Sequence, residues 1–358
     1  MEVQTSDRGG LLLIESPLGL IGEEVMTWLQ YIGQALPVLT LLGIITNTMN
    51  LFVYTRLGFN NAANVSFCAL SASSLCCLLV YFYSLVLIYV NLTWTPPTVS
   101  LTDLNYVTSW YYRMFYDISV VMTTFIAIQR GCCVAFPFYF KDFFTLVRVA
   151  WSILGICLLG LVCYMPVFTT AVMASAQNSM TNSTKTRLIF QNGGREAVAV
   201  VDVLKKFVLT FAAEFLGVCS MTAIQLGMQA ASQFKRGGAP VFVRKKHVNG
   251  NDDVVSQDHH PARGLDNPHT RARELRVVKQ VMVVTALFVT CNTPQMVASV
   301  VARVVPGVDI DGRNRNLFWL MYTVVNIFEL FNSSANFFIY YAFNTRFRET
   351  VHPTCCSK

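Results

Sequence analysis

The stretch Phe125-Ile-Ala-Ile-Gln-Arg130-Gly-Cys-Cys-Val-Ala-Phe-Pro137 carries an apolar run into a single arginine and, seven residues on, a proline. An arginine at the centre of a bilayer is costly, so one at the end of an apolar helix keeps its stem in hydrocarbon and its head in water. On that ground alone Arg130 is a boundary residue of a membrane helix. Similar landmarks in the segments before and after it suggest a second role.

Composition points to the same solvent. Hydrophobic residues make up 54% of the chain and charged residues 13%, with a mean hydropathy of +0.47. A soluble domain has about 25% charged residues. Seven apolar stretches, 29–54, 65–90, 107–135, 146–172, 207–229, 278–304 and 317–343, are each long enough to cross a hydrocarbon core, which takes about 20 helical residues. A barrel would show short alternating segments instead. The expected fold class is therefore an all-α membrane protein, a seven-transmembrane helix bundle with the lipid bilayer as its partner. The expected division is a tail at 1–28, the bundle at 29–343 and a short amphipathic helix with a tail at 344–358.

Lysine and arginine give the orientation. Of 27 such residues, 17 fall on the side of the 235–276 loop and 10 on the other. The positive-inside rule then places the loop and the C-terminus in the cytoplasm and the N-terminus outside. The loop carries nine basic and five acidic residues, and its composition predicts disorder. Its adjacent His259 and His260 lack the further ligands a metal site needs, so no metal is expected.

Polar residues inside apolar segments are functional candidates, because lipid cannot satisfy them. Asn47 and Asn50 fall on one face of the first span, where they can tie helices together. Cys68-Ala-Leu-Ser-Ala-Ser-Ser74 is a seam of small side chains in the second. The third span holds Arg113 and Asp117, four apart and able to satisfy each other, among Trp110, Tyr111, Tyr112, Phe115 and Tyr116. Glu214 and Glu329 add acids in the fifth and seventh. Lys205 and Lys206 are expected to snorkel at the outer edge of the fifth. Pro294 predicts a kink in the sixth span. Asn91 and Asn182 fit the glycosylation pattern on the outer side, and Cys355 and Cys356 are candidate palmitoylation sites. The other nine cysteines fall in spans or on the cytoplasmic side, so no disulfide is expected.

In order and spacing, these landmarks resemble the rhodopsin-like (class A) G-protein-coupled receptors over residues 40 to 350. Asn47 matches the first-span asparagine of that family. Gln129-Arg130-Gly131 stands where the family has Asp/Glu-Arg-Tyr, with Pro137 at the family's distance beyond it. Phe288, Cys291 and Pro294 match Phe-x-x-Cys-Trp-x-Pro. Asn336 to Tyr340 matches Asn-Pro-x-x-Tyr, and Phe347 follows as in the family's eighth helix. The chain is most similar to the divergent chemosensory or peptide-type receptors of molluscs. The departures are Ser74 for the second-span aspartate, Gln129 for the acid before the arginine, Asn292 for the sixth-span tryptophan and Phe337 for the seventh-span proline. Asn105 stands where the third-span disulfide cysteine would be. The restraint on the second outer loop must then come from packing or be absent.

The resemblance implies a receptor that converts binding of an extracellular ligand into opening of an inner cavity for a heterotrimeric G protein, with arrestin as a further partner. Arg130, Gln129, Pro137, Tyr340, Asn336, Asn47, Phe288, Asn292 and Pro294 would serve coupling. Arg113, Asp117, Tyr112, Tyr116 and Glu329 would contact the ligand. No catalysis, cofactor or nucleic acid is expected. The alternative is a transporter or channel with an ion path through Asp117, Glu214 and Glu329.

Overall fold

The computed structural model of the protein describes residues 23–94, 99–135, 139, 142–178, 183–191, 193–236, 268–308 and 312–356. The calls on Pro137 and Asn182, on the tail before residue 23 and on the middle of the basic loop lie outside the described residues.

The described residues are mostly helical. In order come α1 (Glu23–Leu57), α2 (Ala62–Thr93), α3 (Leu101–Ala135) and α4 (Leu146–Thr170). An antiparallel hairpin of β1 (Ala171–Asn178) and β2 (Ser183–Phe190) follows, then α5 (Gly194–Val203), a π-turn (Leu204–Leu209) and α6 (Thr210–Arg236). The chain closes with α7 (Pro268–Val304), α8 (Arg315–Phe343) and α9 (Thr345–Cys356). Among the described residues, five segments are long and apolar enough to cross a membrane: those in α1, α2, α4, α6 and α7. The helices α3 and α8, of 35 and 29 residues, match these in length but not in apolarity, because they carry much of the buried polar chemistry.

Local chemistry sets the boundaries. Gly58, at φ +78°, takes the left-handed conformation that stops α1. Three residues later the Asn61 Oδ1 accepts the Ala63 N–H at 3.0 Å and starts α2. Thr145 caps α4 in the same way, its Oγ1 accepting from Arg148 N–H at 3.4 Å. Several boundaries differ from the sequence reading, three of them as follows. The first helix begins at Glu23 within the expected tail. The seventh begins at Pro268, inside the loop read as disordered, because proline suits a first helical position and Arg-Ala-Arg-Glu-Leu-Arg is a run of helix formers. The fourth ends at Thr170, and the segment read as a loop is a strand pair.

The helices form one bundle with α3 through its middle, packed against α2, α4, α6 and α7, while α1 lies between α2 and α8. The α2–α3 seam is made by serines: Ser73 and Ser119 share a hydrogen bond of 2.9 Å. Gly43 of α1 approaches so closely that a Cβ there would stand 2.5 Å from Ser334 Oγ and 2.8 Å from Leu78 Cδ1. The short α9 is anchored by Phe347, which is fully buried between Tyr54, Phe337 and Tyr340.

Candidate functional site

Two groups of buried polar side chains stand at opposite ends of α3. The first lies beneath the hairpin. The Tyr112 hydroxyl of α3 donates to Glu329 of α8, and the Tyr164 hydroxyl of α4 donates to Asp117 of α3. One residue before Asp117, Tyr116 donates to Asn292 Oδ1 of α7 at 2.8 Å, and the Asn292 amide donates back to the Phe288 carbonyl at 2.9 Å. Arg113 faces α8, its guanidinium 5.8 Å from the centre of the Tyr322 ring. Glu329 and Asp117 are 3% and 6% exposed. The five residues expected to contact a ligand are thus brought together, with Asn292 from the coupling set beside them. Arg113 and Asp117 do not simply satisfy each other; they turn to α8 and α4.

Lys205 is a correction. It does not snorkel but is 6% exposed, within electrostatic reach of Arg113, Asp117, Glu329 and Asp202. The π-turn brings this about by adding a residue to the helical turn, with Thr210 Oγ1 bonded to the Lys205 carbonyl at 3.0 Å. Burial, reinforced by the positive charge of Arg113, pushes the Lys205 ammonium down to about 8. Tyr164 was also missed, since one hydroxyl in an apolar segment carries no signal of its partner. Glu214 stays out of the group: it lies by Cys291 of α7, and its Oε1 has no partner among the described residues.

The hairpin closes this end. Asp103 of α3 accepts the Leu188 N–H at 3.1 Å, Ser100 N–H donates to the Thr186 carbonyl at 3.0 Å, and Val99 bridges Thr186. Asn105 is bonded instead to Ser84 of α2. No disulfide forms among the cysteines whose side chains are described, and hydrogen bonds hold the hairpin on α3. Asn91 lies nearby in the last turn of α2, its amide 3.5 Å from Thr102 Oγ1.

The second group surrounds Arg130. The Asn47 amide bridges the Gly43 carbonyl at 2.9 Å and the Ser333 carbonyl of α8 at 2.8 Å, as expected of a residue tying helices together. Below it the pattern changes. Both side-chain polar atoms of Asn50, the hydroxyls of Tyr54, Ser71 and Tyr340, Gln129 Oε1 and Arg130 Nε are buried without partners among the described residues. Tyr340 lies wholly inside a cluster with Tyr54, Phe67 and Phe347, so in this conformation it offers no contact to a partner. Asn336 is 7% exposed and Phe288 fully buried, while Pro294 lies within α7. A cavity of about 280 Å³ opens beside Gln129 and Arg130. Cys355 and Cys356 end α9; their side chains are outside the described set.

Among the described residues there is no group of three His, Cys, Asp or Glu arranged to hold a metal ion. In comparisons with known proteins, no family model matches the chain and no curated protein matches it.

Proposed function

We propose that the protein is a rhodopsin-like G-protein-coupled receptor, with α1 to α4 and α6 to α8 as its seven spans. It would lie in the plasma membrane with the hairpin outside and the Arg130 end in the cytoplasm. The ligand would be a chemosensory small molecule or a peptide, received beneath the hairpin by Arg113, Asp117, Tyr112, Tyr116 and Glu329. The heterotrimeric G protein, and arrestin after it, would bind at the Arg130 end, next to the lipid-anchored α9. Glycans on Asn91 and Asn182 and acyl chains on Cys355 and Cys356 would complete the molecule.

The observation that carries this reading is the chain of contacts along α3. A ligand that disturbs Tyr116, or Tyr112 stacked on it, would act through Tyr116 on Asn292, one turn from Phe288 and two residues from Pro294, the proline inside α7. That offers a route by which different contacts in two states could bias one moving helix, which is what a switch requires. An ion path through Asp117, Glu214 and Glu329 fits less well, since tyrosine hydroxyls cap two of the acids and the third lies apart with Cys291.

The test is guanine-nucleotide exchange by heterotrimeric G proteins mixed with the protein in nanodiscs, alongside ion flux through the protein in sealed vesicles. Peptides, amino acids and odorants would be screened in both. Ligand-evoked exchange without flux is expected. Flux without exchange would overturn the proposal.

A further inference from the structure

Four charges of opposite sign share the end of α3 beneath the hairpin. Lys205 of the π-turn, Asp117 of α3 and Glu329 of α8 are each at most 6% exposed, and with half-buried Arg113 they lie within one another's electrostatic reach. Their direct contacts among the described residues are with aromatic side chains rather than with each other. Glu329 Oε2 accepts from Tyr112, Asp117 Oδ2 accepts from Tyr164, and the Arg113 guanidinium stands over the Tyr322 ring. That leaves Glu329 Oε1, Asp117 Oδ1 and Lys205 Nζ without a hydrogen bond among the described residues. None of the three is sealed from solvent, as the unbonded Trp110 Nε1 close by is. Each charged atom therefore reaches accessible space although its side chain is more than nine-tenths buried.

Charge decides what that space accepts. Two cations and two acids balance, while Asp202, the further acid within reach, is only half-buried and has a partner of its own. A ligand with a net charge would leave an excess in a site largely withdrawn from water, where uncompensated charge is expensive. An uncharged ligand would pair with none of the four. A molecule that carries both signs meets the cations and the acids at once through charge-assisted hydrogen bonds and keeps the sum at zero.

We infer that the ligand received beneath the hairpin is a small zwitterion, its carboxylate held by Arg113 and Lys205 and its ammonium by Asp117 and Glu329. The inference rests on the reading of this end as the ligand site, and not on coupling to a G protein. A free amino acid and a short peptide with both ends unblocked share this chemistry.

The experiment follows thermal unfolding of the full chain in phosphatidylcholine nanodiscs, titrated with the common α-amino acids, with ω-amino acids from glycine to 6-aminohexanoate, and with diglycine to tetraglycine. A saturable rise in unfolding temperature is expected for at least one of them. The alkylamine and the alkanoate of the same chain length, alone or mixed, should act at least about tenfold more weakly. A peptide at least about tenfold tighter than every amino acid assigns a peptide, and the opposite order a free amino acid. Two shape-conserving variants then shift the balance in opposite directions. Lys205→Met leaves an excess of negative charge and should turn the preference toward the alkylamine, whereas Glu329→Gln should turn it toward the alkanoate. A network that only holds helices together would give neither reversal, and if one variant fails to fold the other decides. Absence of any stabilising zwitterion, an amine or acid as effective as the zwitterion, or wild-type preference in a folded variant would each overturn the inference. Zwitterion binding without nucleotide exchange would uphold it and count against the receptor reading. Exchange evoked solely by singly charged or uncharged ligands would do the reverse.

Discussion

The two ends of α3 treat their buried polar groups differently. Under the hairpin, Glu329, Asp117 and Asn292 are each bonded by a tyrosine from another helix, and Asp103 bonds the hairpin itself. Around Arg130, both polar atoms of the Asn50 side chain, the hydroxyls of Tyr54 and Tyr340 and Gln129 Oε1 have no partner among the described residues, against Trp110 Nε1 beside Tyr164 at the first end. An unmade buried hydrogen bond costs about 1–3 kcal/mol, so the second end is held together by apolar packing against a polar penalty. Separating its helices relieves that penalty, whereas separating those of the first end incurs one. The end without partners is therefore the one expected to open, and the hairpin end is the rigid frame.

The largest effect should come from Arg130. Arg130→Ala is expected to lower G-protein nucleotide exchange by at least about a hundredfold at unchanged surface level, and Arg130→Lys to restore little, because a point charge lacks the planar donor fork. Full exchange by either variant would break the functional half of the comparison.

The Tyr112–Glu329 bond tests the rigid end. In a double-mutant cycle of Tyr112→Phe and Glu329→Gln, thermal unfolding should give a coupling of about 1–2 kcal/mol. A coupling near zero would mean that this end is no better satisfied than the other.

A pair within α1 makes the same contrast on one helix. Asn47→Ala should cost about 1 kcal/mol, since it removes the bridge to Ser333, measured as a lower unfolding temperature in nanodiscs. Asn50→Leu, three residues on, should be neutral or stabilising because it removes a buried amide that has no partner among the described residues. Equal losses from both would erase the distinction.

The smallest effect concerns the hairpin. Asp103→Ala should speed amide exchange at Leu188 and its neighbours by about tenfold, while Asp103→Asn, which keeps an acceptor, should change it less. A membrane-impermeant reductant should leave the hairpin unchanged, since no disulfide forms among the cysteines whose side chains are described.

Much of this was legible in the sequence where a residue type conflicts with its surroundings. A charge or amide in an apolar run has to face other helices, and Asn47, Asp117, Glu329 and Gln129 are all at most 6% exposed. What the sequence withheld was pairing. Nothing in a run of apolar residues ties Tyr164 to Asp117 across two helices, and nothing in Leu204-Lys-Lys-Phe marks the π-turn that buries Lys205 instead of leaving it at the edge. The hairpin was hidden for a related reason: Ala-Val-Met-Ala-Ser-Ala lacks the strong alternation of a half-buried strand, and its order depends on contacts with α3.

Hydrogen exchange of the full chain in nanodiscs, with and without nucleotide-free heterotrimeric G protein, tests the difference between the ends most directly. Alone, backbone amides flanking Arg130 and Tyr340 should exchange faster than those flanking Tyr112 and Glu329. Adding the G protein should slow exchange at the Arg130 end and leave the hairpin end unchanged. Faster exchange beneath the hairpin in the free chain, or no protection around Arg130 with any G protein, would contradict the account.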